Sequence, residues 1–449
     1  MPVVRSISGL RATTDDGSLN TKLISSYIRA FAKLLNFGRI VVGRDGRQGS
    51  NEIEKLVLSE LSNLGCEVVS LGVVPTPTVQ LYSELSNFEG GIAITASHNP
   101  QNWNGLKFIN SYGVFLDEFE NQKLWDFVDN PDSVVNHRSG KIETINNAIN
   151  FHIDKILDID IVKSKIEVIR NRKFKIAVDA VNASGSVAVP ALLKSFDCET
   201  LELFCDGSGV FPHEPEPLPK NLAQLAEFVQ MNKCDFGVAV DPDADRLVLV
   251  DNNGECINEE LTIALAVDAV LRNSKAKDNT VVVNLSSSNI SEWICNQHNA
   301  KLHRSPVGEI NVVKKMKEVA AIIGGEGSGG VILPQCHYGR DSLVGLALIL
   351  TEIVDKNQNI FDVIASFPKL FMKKEKFSFD RDFSSLINKF KKSFLQGVFD
   401  EQDGLRIDFL NNSWLQIRKS NTEPIIRIIA ESQSEDQTNE LIETAKKLL

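Results

Sequence analysis

Apolar residues recur at helical spacing through Leu23, Ile24, Tyr27, Ile28, Phe31, Leu34 and Leu35, and Gly38 stops the run just before the strand-like Arg39-Ile40-Val41-Val42. The alternation continues with a helix over 52–64, a strand over 67–71 and an apolar strand over 91–95 that delivers Ser97 to its carboxyl end. Strands separated by helical stretches predict βαβ units and a mainly parallel sheet, whose ligands gather beyond the carboxyl ends of the strands. The same rhythm restarts twice. A second unit runs from Lys175-Ile176-Ala177-Val178-Asp179 through a helix over 187–193 to Phe236-Gly237-Val238-Ala239-Val240, and a third holds strands at 280–283 and 320–323. The charged stretch 154–173 reads as a helical connector between the first two units. After Phe371 the texture changes. Lys373-Lys374-Glu375-Lys376 leads into short strands near 404–409, 413–417 and 425–430 and a closing helix from Asp436, which together read as a separate α+β domain.

With 449 residues, and roughly 150 residues per domain as a guide, the chain is expected to form three or four domains. Its 43% hydrophobic and 24% charged residues are the balance of a soluble globular protein. A net charge of −11 disfavours a general nucleic-acid binder, which needs a cationic surface to displace counterions; a local arginine cluster can still hold a small anion. Seven cysteines with no Cys-x-x-Cys pair read as reduced, mostly buried thiols, with neither a disulfide framework nor a zinc site. The most apolar segment, 344–354, is far shorter than the roughly 20 residues a bilayer span needs, so no membrane association is expected. Met1-Pro2-Val3-Val4-Arg5 lacks the basic start and apolar stretch of a secretion signal, and a cytoplasmic protein is expected.

Three loops carry phosphate chemistry. Thr95-Ala96-Ser97-His98-Asn99-Pro100 presents a serine hydroxyl at a turn, either as a polar loop residue or as a phosphoryl acceptor. Successive side chains of an extended segment point apart, so His98 is expected to anchor the turn and not to activate Ser97. Asn104-Gly105 predicts a tight turn, beyond which Lys107 returns an ammonium able to meet a phosphate or move a proton. Asp241-Pro242-Asp243-Ala244-Asp245-Arg246 follows an apolar strand. With Pro242 keeping the segment extended, three carboxylates at alternate positions can converge on one hard cation, magnesium or similar. An EF-hand is excluded, because Arg246 and Asn252 stand where glycine and glutamate are required. A rival reading makes Asp241 the nucleophile of an aspartyl-phosphate phosphatase; Asp245 departs from that pattern. Arg418, Ser420, Asn421 and Thr422, with Arg427 a few residues on, combine guanidinium groups, hydroxyls and a turn suited to a phosphate monoester.

Gly325-Glu326-Gly327-Ser328-Gly329-Gly330 has dinucleotide-fingerprint spacing, but Val331-Ile332-Leu333-Pro334 follows where that motif demands a helix. A flexible loop carrying Glu326 and Ser328 toward sugar hydroxyls fits better, with glycines permitting close backbone approach; a plain turn is the bland alternative.

In this order the four loops resemble those of the α-D-phosphohexomutase superfamily over essentially the whole chain. The segment 95–100 is similar to its phosphoserine loop, 241–246 to its metal loop, 325–329 to its sugar loop and 418–424 to its phosphate loop. Ser6-Ile7-Ser8-Gly9-Leu10-Arg11 resembles the N-terminal loop whose arginine faces the active site, and Gly43-Arg44-Asp45-Gly46-Arg47 also fits. The resemblance implies three mixed α/β domains and a smaller C-terminal α+β domain around a central cleft, with boundaries at 1–153, 154–254, 255–370 and 371–449. It implies transfer of phosphate between the 6- and 1-oxygens of a hexose through phosphorylated Ser97 and a hexose 1,6-bisphosphate. Magnesium would be held by Asp241, Asp243, Asp245 and a Ser97 phosphate oxygen. Arg11, Lys107 and Arg246 would line the transfer zone, Lys107 as acid/base. The pattern is most similar to the bacterial phosphoglucosamine mutases, which implies glucosamine 6-phosphate and glucosamine 1-phosphate as the substrate pair. Mannose or glucose phosphates are the close alternative. A phosphosugar is the expected partner, and the chain is expected as a monomer or homodimer.

Departures from the family pattern stand at Gly330, where many relatives carry histidine, at Ala12, and at Asp341-Ser342 in place of Asp-Gly. His337 lies near the first of these. Outside the family, the rivals are the magnesium-dependent phosphatase using Asp241 and a catalytically silent phosphosugar-binding protein.

Overall fold

Among the described residues, four β-sheets follow one another along the chain. The computed structural model describes residues 3–131, 139–420 and 425–449. The first sheet runs in the order Val4–Ser6, Gly9–Thr13, Trp103–Asn110, Gly90–Ile94, Ile40–Arg44, Val68–Val73, Ile142–Thr144. From Gly90–Ile94 to Ile142–Thr144 its pairings are parallel, but the other half is antiparallel. The expectation of a mainly parallel sheet therefore holds for one side only. After the Ser97 loop the chain doubles straight back beside Gly90–Ile94, a connection too short for the crossover helix that a parallel neighbour needs. Asn104-Gly105, expected as a turn, lies inside the strand Trp103–Asn110. Its glycine answers to packing, since a Cβ there would stand 2.1 Å from the Leu10 carbonyl oxygen.

The second sheet is ordered Leu247–Val250, Phe236–Val240, Lys175–Asp179, Glu199–Phe204, and the third Lys301–Ser305, Thr280–Asn284, Ile323–Glu326, Gly330–Ile332. The strand expected over 320–323 begins only at Ile323. The preceding helix, Glu309–Val319, runs on to a left-handed cap at Ala320, which uses up the residues before it. One apolar core joins these two units, with Ile176, Val178 and Phe236 in the same cluster as Ile263, Val281 and Leu346. The helix Ser342–Lys356, built on the most apolar stretch of the sequence, runs through it. The charged connector is helical, as expected, in the pieces Ala148–Leu157, Asp160–Lys163 and Ile166–Arg172, and its Ile156 and Ile169 belong to the same core.

The fourth sheet is wholly antiparallel, in the order Phe371–Ser378, Ile425–Ser432, Trp414–Lys419, Leu405–Asp408, Val398–Asp400. Its core, with Leu386, Phe390, Ile417, Ile428 and Ile442, is separate, and the helix Glu435–Leu448 closes it. The lysine-rich leader after Phe371 is itself the edge strand, paired over its full length with Ile425–Ser432; charged side chains are the usual protection of such an edge. The architecture is thus three mixed α/β units and a smaller C-terminal α+β unit. All seven cysteines are free thiols, three buried and four partly so. Among the described residues no helix is long and apolar enough to cross a membrane.

Candidate active site

Ser97 sits one turn past the strand Gly90–Ile94 with φ of 49°, a left-handed backbone that a non-glycine residue adopts only when its surroundings hold it there. Its N–H donates to Thr95 Oγ1 at 2.8 Å. Arg47, whose side chain is wholly buried, donates to the Ser97 carbonyl and, at 2.8 Å, to the Trp103 carbonyl. Asp45 holds Arg47 Nε at 2.7 Å and accepts from Thr95 Oγ1 at 2.7 Å. So fixed, Ser97 Oγ donates to Asp241 Oδ2 at 2.9 Å, across 144 residues of sequence. His98 Nδ1 stands 3.4 Å from Ser97 Oγ, at the outer limit of a hydrogen bond. Burial and the nearby Arg246 and Arg11 charges keep its imidazole pKa well below the usual value.

The 241–246 loop is a turn, with Ala244 N–H donating to the Asp241 carbonyl at 2.9 Å and Ala244 at φ of 50°. The extended course expected from Pro242 is not the one taken, and it is the turn that gathers the carboxylates. Asp241, Asp243 and Asp245 are all fully buried, and each offers an oxygen within 4.8 Å of the others. Thr76 Oγ1 donates to Asp243 Oδ2 at 2.7 Å, Ser184 Oγ to the Pro242 carbonyl at 2.7 Å, and Ser342 Oγ to the Ala244 carbonyl at 2.7 Å. Lys107 Nζ reaches Asp243 Oδ2 at 2.5 Å and Asp245 Oδ2 at 3.0 Å, and Arg340 Nη2 reaches Asp245 Oδ2 at 2.7 Å.

Asp243 Oδ1 and Asp245 Oδ1 remain buried without a hydrogen-bond partner. Bare carboxylate oxygens are costly in an interior, and two of them in a three-carboxylate cluster form the donor set a hard divalent cation such as magnesium takes. Burial, followed by the charges of Asp245 and Asp243, raises the Asp241 pKa well above the carboxylate range. Burial also pushes Asp245 upward, but Arg340 and Lys107 more than offset it and its pKa is lowered. For Lys107, burial pulls the pKa down and Asp243 and Asp245 more than restore it, so this group is held as an ammonium.

Of the other expected residues, Arg11 and Arg246 adjoin this centre. Arg11, on the strand Gly9–Thr13, donates to Asn99 Oδ1 at 2.9 Å; Arg246 Nε stands 3.8 Å from Asp245 Oδ1. Glu326 ends the strand Ile323–Glu326 and Ser328 lies at the tip of a tight hairpin into Gly330–Ile332, not on a flexible loop. The hairpin glycines do admit close approach, but to the protein beneath: a Cβ at Gly327 would lie 1.9 Å from Glu260 Oε2, and one at Gly329 2.4 Å from the Leu247 carbonyl oxygen. Arg418 faces Arg427 across adjacent strands and donates to Asp403 Oδ2 at 3.0 Å. That carboxylate oxygen also accepts from Val307 N–H at 3.0 Å, and the next N–H, of Gly308, donates to Glu326 Oε1 at 2.9 Å. Ser420 N–H donates to the Ile425 carbonyl at 2.9 Å; Asn421 and Thr422 lie outside the described residues.

Sequence reasoning missed Thr76, Glu309 and Arg340 and gave Arg47 no role, since each acts as a single side chain on a distant partner. One departure, Ser342, and the neighbouring His337 have a physical account. Ser342 ties the metal loop through its hydroxyl, and His337 Nε2 is taken up by Asp341 Oδ2 at 3.0 Å.

The sequence is 33% identical over 431 residues to a phosphoglucomutase/phosphomannomutase of Thermococcus kodakarensis, covering 91% of this chain and 89% of that one. It is 28% identical over 459 residues to a phosphoglucosamine/phosphogalactosamine mutase of Sulfurisphaera tokodaii, covering 96% and 97%. The fold superposes on the crystal structure of a phosphoglucomutase/phosphomannomutase family protein from Burkholderia thailandensis with a TM-score of 0.85 and 25% identity, covering 98% and 96%. The family models for the three phosphoglucomutase/phosphomannomutase α/β/α domains match residues 4–134, 150–254 and 258–371, and that for the C-terminal domain matches 371–447. With all four matched in order, the chain belongs to the phosphoglucomutase/phosphomannomutase family of the α-D-phosphohexomutase superfamily, and so to the intramolecular phosphotransferases.

Proposed function

We propose that the chain interconverts a hexose 6-phosphate and the corresponding 1-phosphate through phosphorylated Ser97, with glucosamine 6-phosphate and glucosamine 1-phosphate as the preferred pair. The observation that carries this reading is the Ser97 hydroxyl lying 2.9 Å from Asp241 inside a buried three-carboxylate loop. A phosphate on that hydroxyl would bring a charge of roughly −1.5 to −2. Asp241, Asp243 and Asp245 would hold magnesium, which when bound neutralises charge on the phosphoryl group.

The Ser97 Oγ–phosphorus bond breaks as the free C1 hydroxyl of a hexose 6-phosphate bonds to phosphorus and gives up its proton. The resulting hexose 1,6-bisphosphate turns over in the cleft, and its 6-phosphate returns to Ser97, leaving the 1-phosphate. Lys107, as an ammonium, gives a proton to the departing serine oxygen while the C1 hydroxyl proton passes to solvent; in the return step the neutral Lys107 takes the Ser97 hydroxyl proton, the sugar O6 takes one from solvent as its bond to phosphorus breaks, and the ammonium is restored. Arg11 and Arg246 line the transfer zone. Glu326 and Ser328 accept and donate to sugar hydroxyls, and Arg418, Ser420, Asn421, Thr422 and Arg427 hold the phosphate that is not reacting. We take the units as 1–153, 154–254, 255–370 and 371–449, in a cytoplasmic protein acting on a small phosphosugar as monomer or homodimer.

The amino-sugar reading is supported by the name of the Sulfurisphaera tokodaii relative, and a glucose or mannose phosphate reading by that of the Thermococcus kodakarensis one. Intact mass after incubation with a hexose 1,6-bisphosphate should show one phosphate, absent in Ser97→Ala. Side-by-side turnover of glucosamine, mannose and glucose phosphates, with and without a magnesium chelator, should favour glucosamine and stop with chelator. Equal rates would overturn the substrate, and a label on Asp241 with release of inorganic phosphate would overturn the mechanism. The phosphatase alternative has no support from the relatives.

A further inference from the structure

Arg340 stands in none of the four loops, yet its guanidinium joins two of them. Nε donates to Glu309 Oε2 at 3.0 Å, Nη1 to Glu326 Oε2 at 2.9 Å and Nη2 to Asp245 Oδ2 at 2.7 Å. The three carboxylates come from the helix Glu309–Val319, the sugar-loop hairpin and the metal loop, and all are buried. Glu309 is held from the first unit as well, by Gln80 Nε2 at 2.9 Å. Glu326 has its other oxygen occupied by Asn284 Nδ2 and Gly308 N–H, both at 2.9 Å. Its orientation is therefore fixed from both sides. A guanidinium is a rigid planar fork, so holding Glu326 and Asp245 on two of its nitrogens sets the span between them; a lysine would not.

The stem of Arg340 also explains position 330. A Cβ built on Gly330 would stand 2.3 Å from Arg340 Cδ and 2.9 Å from its Cγ. No side chain fits there while the arginine is in place. Burial pulls the Arg340 pKa down, but Asp245, Glu326 and Glu309 raise it well above its usual value, so the cation is permanent.

We propose that Arg340 is the positioning residue that sets Glu326 of the sugar loop at a fixed span from Asp245 of the metal loop, and that glycine at 330 is the space this arginine needs. The positioning role rests on the reading of Glu326 as a sugar contact. A sugar presenting first one end and then the other to Ser97 must be gripped in the same register each time, because misplacement of about 1 Å can cost about 100-fold in rate.

Two measurements test this. In ligand-free thermal unfolding, Gly330→Ala should lower the midpoint by several degrees when Arg340 is present and by much less in the Arg340→Ala background; an equal loss in both overturns the pairing. In steady-state turnover of the hexose phosphates, folded Arg340→Ala should lose about 10- to 100-fold, the scale for residues that orient a reactive group, mainly in kcat and with little change in KM. Arg340→Lys, which keeps the charge but not the fork, should recover only part. Wild-type kcat in Arg340→Ala, or full recovery with lysine, overturns the positioning role. If Arg340→Ala does not fold, Arg340→Lys carries the kinetic arm and Gly330→Ala alone the packing arm, an unchanged midpoint in the latter counting against the pairing. Should the wild type turn over no hexose phosphate, the functional reading falls and positioning with it, while the melting cycle still decides whether Arg340 and Gly330 are a pair.

Discussion

Ser97 and the three aspartates are gripped by side chains that are themselves buried, Arg47, Thr76, Lys107 and Ser342 among them, whereas the C-terminal unit meets the rest of the chain largely through polar groups. Lys374 Nζ reaches Glu259 and Glu260 at 2.9 Å, Ser286 Oγ donates to Gln416 at 2.7 Å, Asn289 N–H to Glu431 at 2.8 Å and Arg406 Nη1 to the Leu285 carbonyl at 2.6 Å. The C-terminal core holds residues of that unit alone, while the second and third units share theirs. Both sets of hydrogen bonds include buried groups, so the difference lies in the apolar core: a hydrogen bond exchanged for water costs little net, whereas parting a shared core exposes its packing. On the proposed function, the second and third units with their common core are the standing floor of the site, and the C-terminal unit, whose apolar core is its own, is the wall that parts from it at lower cost.

The sharpest way to break this comparison is at the floor. Ser97→Ala should lower kcat by about 10,000-fold or more, measured by turnover, while leaving the melting midpoint close to wild type. Arg47→Ala strands the buried Asp45 carboxylate and frees the Ser97 turn, and should cost about 3–5 kcal/mol in denaturant unfolding, the scale for breaking a buried pair. Arg418→Ala, on the wall, should raise KM for the hexose phosphate about 10- to 100-fold, since a hydrogen bond to a charged group contributes about 1.5–3 kcal/mol, with stability little changed. A stability loss at Arg418 as large as that at Arg47 would erase the distinction.

The smallest effect concerns Glu260, at the joint between floor and wall. Burial raises its pKa to about 7, an effect Lys374 offsets only in part. Because the folded value lies above the unfolded one, this group's contribution is complete below the ordinary carboxylate range and has been lost once pH passes about 7. Wild-type stability should fall between pH 5 and pH 8 by about 2–3 kcal/mol at most relative to Glu260→Gln, read from unfolding at each pH. Parallel pH profiles for the two proteins would rule out this titration.

The parts of the site that lie in short contiguous motifs were legible in the sequence. The Ser97 loop, the aspartate loop and the strand bearing Arg418 were each readable from local residue types, as were the helix starting near Leu23 and the strand Phe236–Val240. What was not legible depends on pairs distant in the chain. Thr76 meets Asp243 across 167 residues and Arg340 meets Asp245 across 95, and nothing local marks either. Asn104-Gly105 misled because its glycine serves close packing against Leu10, while the same dipeptide elsewhere signals a hairpin. Lys373 to Lys376 read as a charged leader because an edge strand shows little apolar alternation.

The apolar cluster common to the second and third units has a consequence for dissection and engineering. A cut near residue 255 would leave two fragments with raw hydrophobic faces, Phe236 and Val238 on one and Ile263 and Leu346 on the other, and neither would be soluble by itself. Chimaeras made by exchanging segments with other members should therefore transplant that pair as a single block, whereas a graft of 371–447 keeps its own apolar core intact and has hydrogen bonds to rematch, those of the buried Arg406, Gln416 and Glu431 among them.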